Sequence, residues 1–97
     1  MSKRDPLSTP EIAVALADLP KWRVVNGKLH RDFKFKNFVQ AFGFITQVAI
    51  LAERMDHHPE WSNVYGQVSI DLVTHAAGNA ISALDVELAH QIDEITL

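Results

Sequence analysis

Asn26-Gly27 stands between two β-prone runs, Trp22-Arg23-Val24-Val25 and Leu29 to Phe35. This dipeptide is the pair best suited to the positive φ angles of a type I′ turn, so the two runs predict a hairpin. In the second run Leu29, Arg31, Phe33 and Phe35 form a mostly apolar face. Lys28, His30, Asp32, Lys34 and Lys36 alternate with them and read as a solvated outer face. Such alternation predicts an antiparallel sheet covered on one side only.

The remaining segments supply the cover. A first helix is predicted from about Thr9 to Ala17, with Ser8 or Thr9 as cap, Pro10 at its start, Glu11 completing a capping box with Ser8, and Pro20 ending it. A second, from Asn37 to Met55, has Asn37 as cap and no internal proline. Two more strands, Ser62 to Tyr65 and Gln67 to Thr74, turn at Gly66. After a loop from Ala76 to Ile81, Ser82 and Asp85 form a second capping box for a final helix whose apolar face is Leu84, Leu88, Ile92 and Ile95. The order α-β-β-α-β-β-α predicts an α+β fold, a four-stranded antiparallel sheet with three helices on one face.

Ninety-seven residues, 47% of them hydrophobic, suit one domain spanning residues 1–97. A chain this short gains from association with copies of itself. The second helix offers a means, because it carries two apolar stripes: Phe38, Ala41, Phe42, Ile45, Ala49 and Ala52, and Phe44, Val48, Leu51 and Met55. If the second stripe is the interface, Phe44 and Val48 lie in it and Ile45 points inward. A homodimer or a dimer of dimers is expected. The absence of cysteine excludes disulfides and thiolate chemistry and fits a cytoplasmic setting. A net charge of -3 argues against direct nucleic-acid binding, and no apolar run reaches the ~20 residues that span a bilayer.

Chemistry concentrates between Glu53 and Asp85. Three of the five histidines, His57, His58 and His75, fall there, close to Asp56, Pro59, Trp61, Tyr65 and Thr74. Imidazoles titrate near neutrality and can both give and accept protons. Glu53 and His57 are four apart at the end of a helix, so Glu53 is expected to hold the His57 ring. Pro59 biases His58 toward extended backbone, and His75, at the end of the last strand, is placed to approach the same loop. Three histidines and a carboxylate also match zinc or non-haem iron ligands. Adjacent histidines do not readily share one ion, however, and the helical His-x-x-x-His spacing is missing, so no metal is expected. His30 and His90 stand alone and read as surface residues. Trp61 and Tyr65 read as core or cleft-wall aromatics.

Glu53, His57-His58-Pro59, Tyr65, His75 and Asp85, with Ala41-Phe42-Gly43-Phe44 in the long helix, resemble the pattern of the pterin-4a-carbinolamine dehydratases, also known as dimerisation cofactors of a homeodomain transcription factor. The resemblance runs along most of the chain. One departure is Gly78-Asn79-Ala80-Ile81-Ser82, where family members often have a more compact Gly-Leu-Ser or Gly-Leu-Thr. What the resemblance implies is dehydration of 4a-hydroxytetrahydropterin to quinonoid dihydropterin, the recycling step after aromatic amino-acid hydroxylation, with no cofactor. It implies His57 and His75 as acid and base and His58 as the residue that binds and orients the pterin, with Glu53 and Asp56 in support. Thr74, His75, Ala76 and Ala77, with the backbone of His57 to Pro59, would line the pterin site, and Trp61, Tyr65 and Asp85 would buttress it. The other role the family implies is that of a protein-binding module or transcriptional coactivator.

Overall fold

A computed structural model describes residues 2–95. Its elements are α1 (Thr9–Ala17), β1 (Arg23–Val25), β2 (Lys28–Lys34), α2 (Phe38–Met55), β3 (Glu60–Val64), β4 (Gln67–Leu72) and α3 (Ala83–Asp93), with a 3₁₀ turn at His75–Ala77. The strands form one antiparallel sheet in the order β1-β2-β4-β3, as the alternation predicts. Asn26 and Gly27 both take positive φ, 52° and 77°, between the paired residues Val25 and Lys28. Both capping boxes form: Ser8 with Glu11, and Ser82 with Asp85. No described helix is long and apolar enough to cross a membrane.

The helix-facing side of the sheet presents Leu29, Phe33, Val68, Ile70 and Leu72 to Phe44, Val48, Leu88 and Ile92. Arg31 lies on this side too and is buried. Its guanidinium sits 4.2 Å from the Phe33 ring centroid and bonds Asp93 Oδ1 at 2.5 Å, an oxygen that also accepts Trp22 Nε1–H at 2.8 Å. An arginine on an apolar strand face is tolerated because its charge is paired and its stem packs.

Helix α2 corrects one expectation. Ala41, Phe44, Val48 and Ala52 are its buried residues, so Phe44 and Val48 belong to the core and not to a free stripe. Phe38, Val39, Phe42 and Ile50 are exposed instead, with the Phe38 and Phe42 rings 5.8 Å apart and tilted 44° to each other. Where apolar residues surround a helix, its own periodicity does not say which side the sheet takes.

Gly66 is required for space rather than for its φ. The positive φ of the β3–β4 turn falls on Tyr65, whereas a Cβ at Gly66 would meet the Phe35 carbonyl oxygen at 2.5 Å. That carbonyl cannot step aside cheaply, since the Phe35 N–H donates to the Gly66 oxygen at 2.7 Å. Gly66→Ala is expected to cost about 1–3 kcal/mol of stability, the range for overpacking. Urea unfolding at matched slopes checks it.

The open side of the sheet is a lattice of charge. His30 bonds Asp71 at 2.7 Å through Nδ1 and Asp32 at 2.9 Å through Nε2, so the ring does not stand alone as its sequence context suggests. Asp32 also accepts from Ser69 and faces Arg23. The Ser69 hydroxyl first, then His30 and Arg23, hold the Asp32 carboxyl below the usual range. Lys28 first, then His75, do the same for Glu60. Carboxyls depressed in the folded state stabilise it above their ordinary value of ~4, and that contribution disappears as pH falls through the lower folded values. Melting temperature is therefore expected to hold between pH 6 and about 5 and to drop progressively below about 4, which a series of thermal melts reads directly.

Candidate active site

The site begins where α2 stops. Asp56 adopts the left-handed conformation, φ 50° and ψ 43°, and its amide and that of His57 close back onto the last carbonyls of the helix. The reversal sends His57 inward, 8% exposed, and His58 outward. His57 Nε2 meets Asp85 Oδ1 at 2.6 Å. Asp85 is fully buried at the third position of α3. Its Oδ2 accepts the Ser82 N–H and the Thr74 hydroxyl, both at 2.8 Å, and Thr74 Oγ1 lies 2.6 Å from Ser82 Oγ. A helix N-terminus favours this carboxylate. With Oδ2 occupied by donors, Asp85 presents lone pairs to His57, so Nε2 carries the hydrogen and Nδ1 carries the lone pair.

The other two imidazoles repeat the pattern with different partners. His58 Nε2 lies 2.9 Å from Glu53 Oε1, and His75 Nε2 lies 3.2 Å from Glu60 Oε2. Each of the three rings is thus tethered through Nε2 to its own carboxylate. His58 and Glu53, with Ala49, Ala52, Pro59 and Trp61, line a cleft of about 300 Å³, the lower end of the usual range for small-molecule sites. Trp61 supplies a flat apolar wall there, the face a planar ring would stack on. Thr74 is buried beside Asp85, while Ala76 and Ala77 sit in the 3₁₀ turn that His75 opens. That turn ends with Gly78 and Asn79 both in left-handed backbone, φ 73° and 61°, and Thr74 N–H donates to the Ala80 oxygen at 2.9 Å.

Three expectations change. Glu53 holds His58, not His57, because the left-handed Asp56 takes His57 off the helical path that an i to i+4 pairing requires. The Asp56 carboxylate pairs with no imidazole among the described residues; its contribution is the backbone turn. Tyr65 lies at the tip of the β3–β4 turn, 85% exposed, at the opposite end of β3 from His58, and does not buttress the site. Glu60 was not singled out from the sequence: it lies opposite Asp71 on the open face of the edge strand β3 and bonds Lys28 of β2.

Among the described residues, no group of three or more His, Cys, Asp or Glu side chains is placed to hold a metal ion. A larger hollow, about 640 Å³, lies between α1 and α3 against Leu7, Val14, Ala15, Val86 and His90. It is a shallow apolar groove away from the three paired imidazoles, and His90 is the lone histidine on its wall. The cleft at His58, although smaller, holds the Glu53–His58 pair, and His57 and His75 are not among its lining residues.

Sequence and structure comparisons bear on this arrangement. A sequence profile described as pterin 4 alpha carbinolamine dehydratase matches residues 5–95. A protein of Solibacter usitatus is 54% identical over 89 residues, covering 92% of this chain and 93% of that protein. One of Jannaschia sp. is 50% identical over 95 residues, covering 96% and 95%. Both are named, provisionally, pterin-4-alpha-carbinolamine dehydratase. A crystal structure from Brucella melitensis, described as a transcriptional coactivator/pterin dehydratase, superposes with a TM-score of 0.85 at 42% identity, covering 92% of this chain and 96% of that one. A match spanning nearly the whole chain, on a fold of the same kind, is decisive: the chain belongs to the pterin-4a-carbinolamine dehydratase family of hydro-lyases.

Proposed function

We propose that this protein dehydrates 4a-hydroxytetrahydropterin to quinonoid dihydropterin and water, by imidazole acid and base catalysis and without a metal or redox cofactor. The observation that carries the reading is the set of three histidines, each tethered at Nε2 by a carboxylate, which leaves the Nδ1 nitrogens for proton transfer. One imidazole protonates the C4a hydroxyl, the C–O bond breaks, and a second takes a ring N–H proton, so the protein ends with the protons it began with. His57 and His75 fill these two roles. His58, beside Trp61 and Glu53 in the cleft, holds and orients the pterin. The step follows aromatic amino-acid hydroxylation and suits a cytoplasmic enzyme. Purified protein given freshly generated 4a-hydroxytetrahydropterin should accelerate formation of the quinonoid product, before and after dialysis against a chelator. A rate equal to the uncatalysed one defeats the reading.

The exposed Phe38, Val39, Phe42 and Ile50 on α2 support a second reading, in which the same fold associates through that helix with its own copies or with another protein. Closed pairing of this face would make the protein a dimer or a dimer of dimers. Phe42→Glu is expected to lower the oligomeric state in light scattering and leave the fold intact, whereas a charge at Phe44 unfolds the domain, because Phe44 is in the core.

A further inference from the structure

Glu60 is the first residue of β3 and projects onto the open side of the sheet, opposite Asp71. Its two oxygens are divided between two elements. Oε1 bonds Lys28 Nζ of β2 at 2.5 Å, and Oε2 faces His75 Nε2 at 3.2 Å, just past the end of β4. An exposed glutamate–histidine pair by itself orders little, since both side chains pay rotamer entropy in water. A second anchor changes that, because the lysine fixes the carboxylate before the imidazole arrives. The Lys28 ammonium and then His75 hold the Glu60 carboxyl below its usual range, so at neutral pH it only accepts. Asp71 adds to the field on Lys28 and is itself occupied by His30.

We infer that Glu60, anchored by Lys28, is the positioning residue for His75: it keeps the ring hydrogen on Nε2, so that Nδ1 is the nitrogen that exchanges a proton with the substrate. This deepens the dehydratase reading and rests on it for its kinetic consequence, though the tautomer itself does not depend on it. A neutral imidazole beside a fixed acceptor has one tautomer, and the protonated ring differs from it only at Nδ1. The lysine–glutamate pair therefore acts on the reaction through the ring and not through the pterin.

The test is the Glu60→Gln variant. Its side-chain carbonyl takes over the Lys28 bond and turns the amide N–H₂ toward His75, which favours a lone pair on Nε2. Long-range ¹H–¹⁵N correlation on labelled histidine should show His75 as the Nε2–H tautomer in the wild type and shifted from it in Glu60→Gln. Turnover should fall roughly 10- to 100-fold, the scale of a lost charged hydrogen bond, with KM changed by no more than about twofold. Added to His75→Ala, Glu60→Gln should slow the enzyme no further, because positioning acts only through that ring. An unchanged His75 tautomer in Glu60→Gln overturns the inference, as does a Glu60→Gln loss that multiplies with that of His75→Ala. If the wild type fails to dehydrate the pterin, the functional reading falls, and the tautomer measurement still decides the positioning role.

Discussion

His75→Ala is expected to lower kcat by roughly 10²–10⁴-fold, the contribution of a general acid or base, and to leave the melting temperature close to that of the wild type. The two halves of this expectation come from different facts. His75 is exposed, opens a short 3₁₀ turn and, among the described residues, its ring hydrogen-bonds Glu60 alone, so its removal leaves no buried group without a partner. His57→Ala should match it in kcat but not in stability. Its ring is buried against Asp85, and deleting it strands one oxygen of a carboxylate that water does not reach. Steady-state kinetics and thermal melts on the two variants separate the proton-transfer role from the structural one. Wild-type turnover in folded His75→Ala protein would remove that histidine from the chemistry.

Asp85→Ala carries the largest expected loss of stability, about 3–5 kcal/mol, the cost of breaking a buried charged network by removing one partner. Ser82 N–H, the Thr74 hydroxyl and His57 Nε2 lose their acceptor together. Asp85→Asn is the more informative change. Its carbonyl oxygen can keep the bonds from Ser82 and Thr74, so most of the stability remains. Its N–H₂ group then faces His57 and demands a lone pair on Nε2, which moves the ring hydrogen to Nδ1 and leaves the wrong nitrogen to exchange a proton. Turnover is expected to fall by at least about 10²-fold while the urea midpoint shifts modestly. If both variants lose activity only in proportion to their loss of folded protein, Asp85 has no orienting role.

Much of the fold was legible because it is written in local signals. Asn26-Gly27 fixes a turn by its φ angles, and Ser8-Glu11 and Ser82-Asp85 fix helix starts by hydrogen bonds within four residues. The histidines of the site were legible as residues, but their pairing was not. The i to i+4 rule gave Glu53 to His57, and it failed because one left-handed residue, Asp56, turned the chain off the helix. Asp85 was read as a cap and assigned to the site only through resemblance, since its second bond reaches back 28 residues and no local pattern carries that distance. Phe44 and Phe42 exchanged places for a related reason: the sheet, not the helix, decides which side of α2 is covered. Trp61 was found as a cleft wall, whereas Tyr65, equally aromatic in sequence, lies at a strand tip.

The carboxylate of Asp85 joins the end of α2, the end of β4 and the start of α3 through three hydrogen bonds, all of them internal to the protein. His57 therefore has no orientation of its own to retain once any of the three ends frays. Warming or denaturant cannot yield a loosened molecule in which α3 has come away and the imidazole still points correctly. Turnover is therefore expected to be lost on heating together with the fold, at the temperature where this one buried carboxylate is released.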